Sequence, residues 1–145
     1  MENKNSEKVE RPRAAIGVMI FKGRKILLGK RKKFPGVGEY CSPGGHLENM
    51  ESFEDCARRE TLEECGLSIK NIRFQFLFNF KKHAPLHYVH IELLADWESG
   101  EPVVLEPEKC ESWGWYALDK LPHPIFEMTK VSIDNLKSDK KYFDS

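Results

Sequence analysis

Three carboxylates, Glu60, Glu63 and Glu64, fall within five consecutive residues of the segment 52–65, SFEDCARRETLEEC. That segment reads as a helix. At about 100° per residue, Phe53, Cys56, Ala57, Glu60 and Glu64 project from one side, with Glu63 at its margin. Acids thus share a face with the apolar anchors. Side chains three and four apart are neighbours on a helix, so these like charges repel. A hard divalent cation offsets that repulsion: Mg²⁺ takes oxygen ligands, keeps several waters and is completed by substrate phosphates. The competing explanation is a solvated acidic face laced by surface pairs, with Glu54 to Arg58, Asp55 to Arg59 and Arg59 to Glu63 all in reach.

The surrounding residues decide between the two. From Gly45 the chain fits G-x5-E-x7-R-E-U-x-E-E-x-G-U, where U is a bulky apolar residue, through Gly45, Glu51, Arg59, Glu60, Glu63, Glu64, Gly66 and Leu67; Thr61 fills the loosely defined U position. At typical residue frequencies the seven invariant positions coincide about once in 10⁸ starts, which rules out chance. With this signature the chain resembles the Nudix hydrolase superfamily. The resemblance implies an α/β/α sandwich around a mixed β-sheet, and hydrolysis of a nucleoside diphosphate linked to a further group with Mg²⁺ or Mn²⁺. It implies Glu60, Glu63 and Glu64 as metal-binding carboxylates, one of them also handling the proton of the attacking water, and the Gly44 carbonyl as a further ligand. It implies an ion pair of Arg59 with Glu51 that holds loop and helix together. The chemistry agrees: phosphoanhydride hydrolysis needs an activated water and neutralised phosphate charge, and the Gly44-Gly45 turn lets backbone approach phosphates closely.

Three stretches outside the signature, LLGKRKKFPGVGEYCSPGGHLE, HYVHIELL and EPEKCESWGWYALDKLP, are similar to the nucleoside triphosphate diphosphatase branch of oxidised-purine and thiopurine triphosphate-cleaving type. That similarity covers residues 13 to 122 and implies a homodimer converting NTP and water to NMP and diphosphate. Beside the glycine loop the basic run 30–33, Arg31 above all, can meet triphosphate or form a solvated turn, and His46 after the Gly44-Gly45 pair can contact phosphate or water; Phe126 falls where the related enzymes stack the base, with core packing the favoured role. A late acidic metal ligand is expected among Glu106, Glu108 and Glu111, with Glu111 favoured. His87 and His90 lie three apart in a strand, so at most one lines a pocket. Trp113 and Trp115 share a strand face and are expected in the core. Ser42 replaces a larger apolar residue of the related base pocket, which leaves base preference open. Two alternatives stand beside this reading. One is a relative acting on a nucleotide sugar or dinucleoside polyphosphate; the other is a non-catalytic nucleotide-binding module.

The elements that position these residues follow from local pattern. Ser52 with Asp55 three residues on is a capping-box variant, and Gly66 sits where a left-handed residue ends a helix. AAIGVMIF and KILLGKR flank a Gly-containing turn as a hairpin, and a Pro- and Gly-rich loop with one short strand at 39–41 leads to the helix. Three later strands and a closing helix over 126–137 complete an α/β order. Residues 1–12 read as a loose tail before one domain, 13–145, of a 145-residue chain. No apolar run reaches the ~18 residues of a membrane span and the N-terminus lacks a signal-peptide core, so a soluble cytoplasmic protein is expected. Cys41, Cys56, Cys65 and Cys110 form no C-x-x-C pair and are expected as reduced thiols. With 23 basic and 23 acidic residues the net charge is zero, which removes general attraction to nucleic acid or anionic membranes. Locally the balance breaks: residues 22–33 hold seven basic groups and no acid, while residues 47–64 carry a charge of −5. One block can meet phosphate and the other can hold metal.

Overall fold

The computed structural model describes residues 10–144, so most of the expected tail lies outside the described residues. Strands β1 (Arg13–Lys22) and β2 (Lys25–Arg31) form the expected hairpin around Gly23, but they pair directly only at Phe21 with Ile26 and Lys22 with Lys25. Beyond that point β2 diverges to pair along its length with β7 (Cys110–Ala117), and carries the short β3 (Tyr40–Cys41) on its end. The edge of β1 thus vacated receives β4 (Gly44–His46), antiparallel, with Gly17 opposite Gly44 and Ile16 opposite Gly45. A Cβ on Gly44 would overlap the Ile16 carbonyl, so the close approach requires glycine. On its other edge β1 pairs in parallel with β6 (Tyr88–Ser99), which pairs with β5 (Ser68–Phe80), and β5 carries β8 (Tyr142–Asp144). The result is a mixed eight-stranded sheet with one helix on each face, the architecture expected for the Nudix α/β/α sandwich.

Strand alternation sorts the core. Ile16, Val18 and Ile20 of β1 face helix α1 (Phe53–Cys65) and are buried with Cys56, Ala57 and Cys65. Met19 faces the opposite side, where Leu94, Ile133 and Leu136 cover it. On that side too, Met128 of helix α2 (Glu127–Asp134) packs on Phe76, Phe78 and Phe80. Helix α1 begins as expected, with the Asp55 N–H donating to Ser52 Oγ at 3.1 Å, and ends at Gly66 with φ 74°. Two expectations are corrected. Phe53, at the first position of α1, is 48% exposed, and the fully buried Thr61 completes the inward stripe with Cys56, Ala57 and Cys65 instead. The glycine segment read as loop contains β4, a strand made by the vacated edge of β1 rather than by its own propensity. Trp113 and Trp115 pack against the α1-side core as expected. Among the described residues no helix is long and apolar enough to cross a membrane.

Candidate active site

The split between β1 and β2 opens a cleft of about 790 Å³, whose lining includes Arg31, Gly44, Gly45, His46, Glu60 and Glu64. Helix α1 follows directly on β4, so its last turns bring Glu60 and Glu64 against the glycine pair. The Gly44 N–H donates to Glu64 Oε1 at 3.2 Å, and a Cβ on Gly45 would overlap the Glu60 carboxylate. The glycines therefore form a cradle for two acids. Burial, then the Glu60 charge, pushes Glu64 up to about 9. Burial also raises Glu60, against the hydrogen bonds that it receives.

Arg59 organises the shell around them. Its Nε and Nη2 donate to the two Glu51 oxygens at 2.7 and 3.0 Å, a bidentate pair. Nη2 also reaches the His46 carbonyl at 3.1 Å, and Nη1 donates to Glu60 at 2.8 Å and to Glu63 at 3.3 Å. One guanidinium thus ties the loop before α1, the β4 backbone and two of the three acids. The hydrogen bonds from Arg59 hold Glu51 down at about 2.

The remaining expected residues are placed unequally. Arg31 lies over the Phe126 ring, 4.3 Å from its centroid, and its Nε donates to the Pro35 carbonyl at 2.7 Å. Phe126 is buried among Phe76, Phe78 and Phe80 yet still lines the cleft. His46 is exposed and stacks on Tyr88. Glu63 is half exposed and does not line the cleft. Glu111, the favoured late acid, is not brought to the site: it sits on β7, 58% exposed, 3.5 Å from Lys30. The loop before β7 brings a different acid to the end of α1. Val103 and Leu105 donate backbone N–H groups to the Cys65 and Glu64 carbonyls, satisfying the open end of α1. That docking brings Glu106 to the end of α1, where its Oε1 pairs with Lys109 Nζ at 3.5 Å and its charge adds to the raising of Glu64. Sequence spacing alone could not choose among three acids in one loop.

The reading missed Glu92. His90 is the one of the two histidines that lines the cleft, and Glu92 accompanies it, 5% exposed. An acid inside the apolar run IELL was the available signal.

The donor set suits a hard divalent cation. Crowded carboxylate oxygens against a glycine cradle form an oxygen-rich site, with the Cys41 and Cys110 thiols also in the cleft lining. Among the described residues, no three acid, histidine or cysteine side chains already stand in ligand geometry, because Arg59 holds Glu60 and Glu63.

Comparison with known proteins agrees with this fold. The NUDIX domain family profile matches residues 11–136, so the chain belongs to the NUDIX family. It is 32% identical to the NAD-capped RNA hydrolase NudC of Chromobacterium violaceum over 108 residues, 74% of this chain but only 39% of that protein. It is 33% identical to the oxidized purine nucleoside triphosphate hydrolase of Danio rerio over 111 residues, 72% of this chain and 66% of that one. The crystal structure of a MutT NUDIX hydrolase from Burkholderia pseudomallei superimposes with a TM-score of 0.81 at 36% identity, covering 86% of this chain and 98% of the other.

Proposed function

We infer that this protein is a Mg²⁺-dependent hydrolase, with Mn²⁺ able to substitute, that converts a nucleoside triphosphate to the monophosphate and diphosphate. The carrying observation is the half-buried pair Glu60 and Glu64 against the Gly44-Gly45 cradle, in the same cleft as Arg31 and Phe126. Glu60, Glu63, Glu64 and the Gly44 carbonyl would hold the cation, with Glu106 replacing Glu111 as the late acid. When bound, the cation neutralises phosphate charge and acidifies water. The chain's own residues supply the rest. Arg31 meets the phosphate chain, Phe126 packs beside the base, and Arg59 with Glu51 keeps the acids in position. One carboxylate of the Glu60, Glu63 and Glu64 set takes the proton as water oxygen bonds to phosphorus and diphosphate leaves.

The NudC similarity favours one competing reading, hydrolysis of a dinucleotide diphosphate, although the chain spans only 39% of that relative. Nucleotide sugars and dinucleoside polyphosphates belong to the same test, as does a binding module without turnover. Products are separated by chromatography after incubation with dNTPs, NAD, NAD-capped RNA and nucleotide sugars. The inferred function requires NMP and diphosphate from dNTPs with the others inert. It also requires loss of turnover on chelation, recovery with Mg²⁺ and a rate that rises towards alkaline pH. A chelator-insensitive rate overturns the mechanism.

A further inference from the structure

The deep part of the cleft holds polar atoms that the hydrolytic chemistry does not use. Glu92 sits on β6 between Ile91 and Leu93, both of which turn to the α1-side core, while its own side chain turns the other way. It lies over Gly17, its parallel neighbour on β1, where a Cβ would overlap the carboxylate. A glycine in the middle of an aliphatic strand therefore makes room for this acid. Glu92 Oε2 is buried and has no hydrogen-bond partner. The nearest basic group, His90 Nδ1, stands 3.7 Å away, beyond hydrogen-bond length, and is itself buried without a partner. Ser42 Oγ and Trp113 Nε1, on residues that also line the cleft, are two more such atoms.

Buried polar groups in folded proteins are paired, and an unpaired carboxylate is among the costliest exceptions. Four unpaired groups in one cleft, two of them the acceptors Glu92 Oε2 and Ser42 Oγ, walled by Phe80 and Phe126, describe a site that expects a flat ligand carrying hydrogen-bond donors. We propose that Glu92 reads the base of the substrate, accepting paired N–H bonds from a guanine-type edge on which a ring N–H stands beside an exocyclic amine. This rests on the nucleoside triphosphate reading above. The choice of base follows from donor patterns. A carboxylate offers two acceptors and no donor. Guanine meets it with two adjacent donors. Adenine and cytosine place a ring acceptor beside their amine, and thymine places carbonyls on both sides of its N–H, so each sets lone pair against lone pair. Hypoxanthine keeps the ring N–H and lacks the amine, which makes it the stringent comparison.

The test compares kcat/KM for dGTP, dITP, dATP, dCTP and dTTP between the wild type and Glu92→Gln. The amide keeps the size of the side chain and turns one acceptor into a donor facing the guanine amine. Wild type is expected to prefer dGTP over dITP by about tenfold or more. Glu92→Gln is expected to lose that preference, mainly through KM for dGTP, while dITP changes by only about a few-fold. Gly17→Ala, which displaces the carboxylate without altering it, is expected to move the ratio in the same direction, and it carries the comparison if Glu92→Gln does not fold. An unchanged dGTP/dITP ratio in the folded variants, or a wild type that prefers adenine or pyrimidine triphosphates, overturns the proposal. If no triphosphate is hydrolysed the functional reading fails, and calorimetric binding of dGMP against dIMP decides on Glu92 alone. Tighter dGMP binding that Glu92→Gln abolishes supports it, and equal binding of the two overturns it.

Discussion

Glu64 carries the conflict between stability and function in its own ionisation. Its carboxyl is raised from 4.5 to about 9 by burial and by Glu60, so the folded protein favours the neutral acid. For a group raised in this way, the stabilisation is complete below the unfolded value and fades as pH climbs through the folded one. Metal-free protein is therefore expected to lose stability between pH 4.5 and about 9. Glu64→Gln is expected to remove that slope and to raise the alkaline melting temperature by about 3 °C, the equivalent of about 1 kcal/mol. The same substitution is expected to lower turnover by about a hundredfold or more, because a neutral amide is a poor ligand for a hard cation. Thermal melts in chelator across pH, alongside turnover in Mg²⁺, check both. A variant that is less stable than wild type at pH 9, or equally active, contradicts this account. Beside this, Glu111 shows how little residue type decides alone: it has the chemistry of a ligand and stands on the surface with Lys30.

Helix α1 works only as part of a unit with the loop before it and the loop that caps its end. Arg59 is the clamp of the first junction, through Glu51, Glu60, Glu63 and the His46 carbonyl. Glu51 is held at about 2 against an unfolded 4.5, so its contribution is present above pH 4.5 and is lost as pH falls towards 2. Arg59→Lys keeps the charge and loses the fork. It is expected to cost about 2 kcal/mol, to move acid unfolding to higher pH and to lower kcat about tenfold with little change in KM. Acid titration followed by circular dichroism, with steady-state kinetics, checks this; an unchanged acid midpoint contradicts the clamp. The second junction is the docking of Val103 and Leu105 on the last carbonyls of α1, which brings Glu106 to the end of that helix. Helix start, stop and acidic face were legible in the sequence because they depend on neighbours within a few residues. The exposure of Phe53 was not, since it depends on where the sheet edge lies.

At the scale of the molecule, a neutral chain separates its charges, with the acidic block on α1 and the loop before it and the basic Arg31 across the cleft. A small polyanion joined to a divalent cation fits such a site without any net positive charge. The homodimer is an expectation from family resemblance, and sedimentation at micromolar concentration checks it against the 16.8 kDa monomer; a single species of that mass contradicts it. The sequence by itself determined the family signature, the capped acidic helix and the glycine pair, since those signals are local and spaced by helix and turn geometry, while the Glu51 and Arg59 pairing followed from the family resemblance. Tertiary structure alone decided four further things. The divergence of β2 from β1 opens the cleft and turns a glycine loop into β4. Loop docking brings Glu106 to the end of α1 while Glu111 stands on the surface with Lys30, and the parallel register of β1 and β6 sets Gly17 beneath Glu92. Alternation along a strand says that neighbours face opposite ways, and only the packed sheet says which way is the cleft.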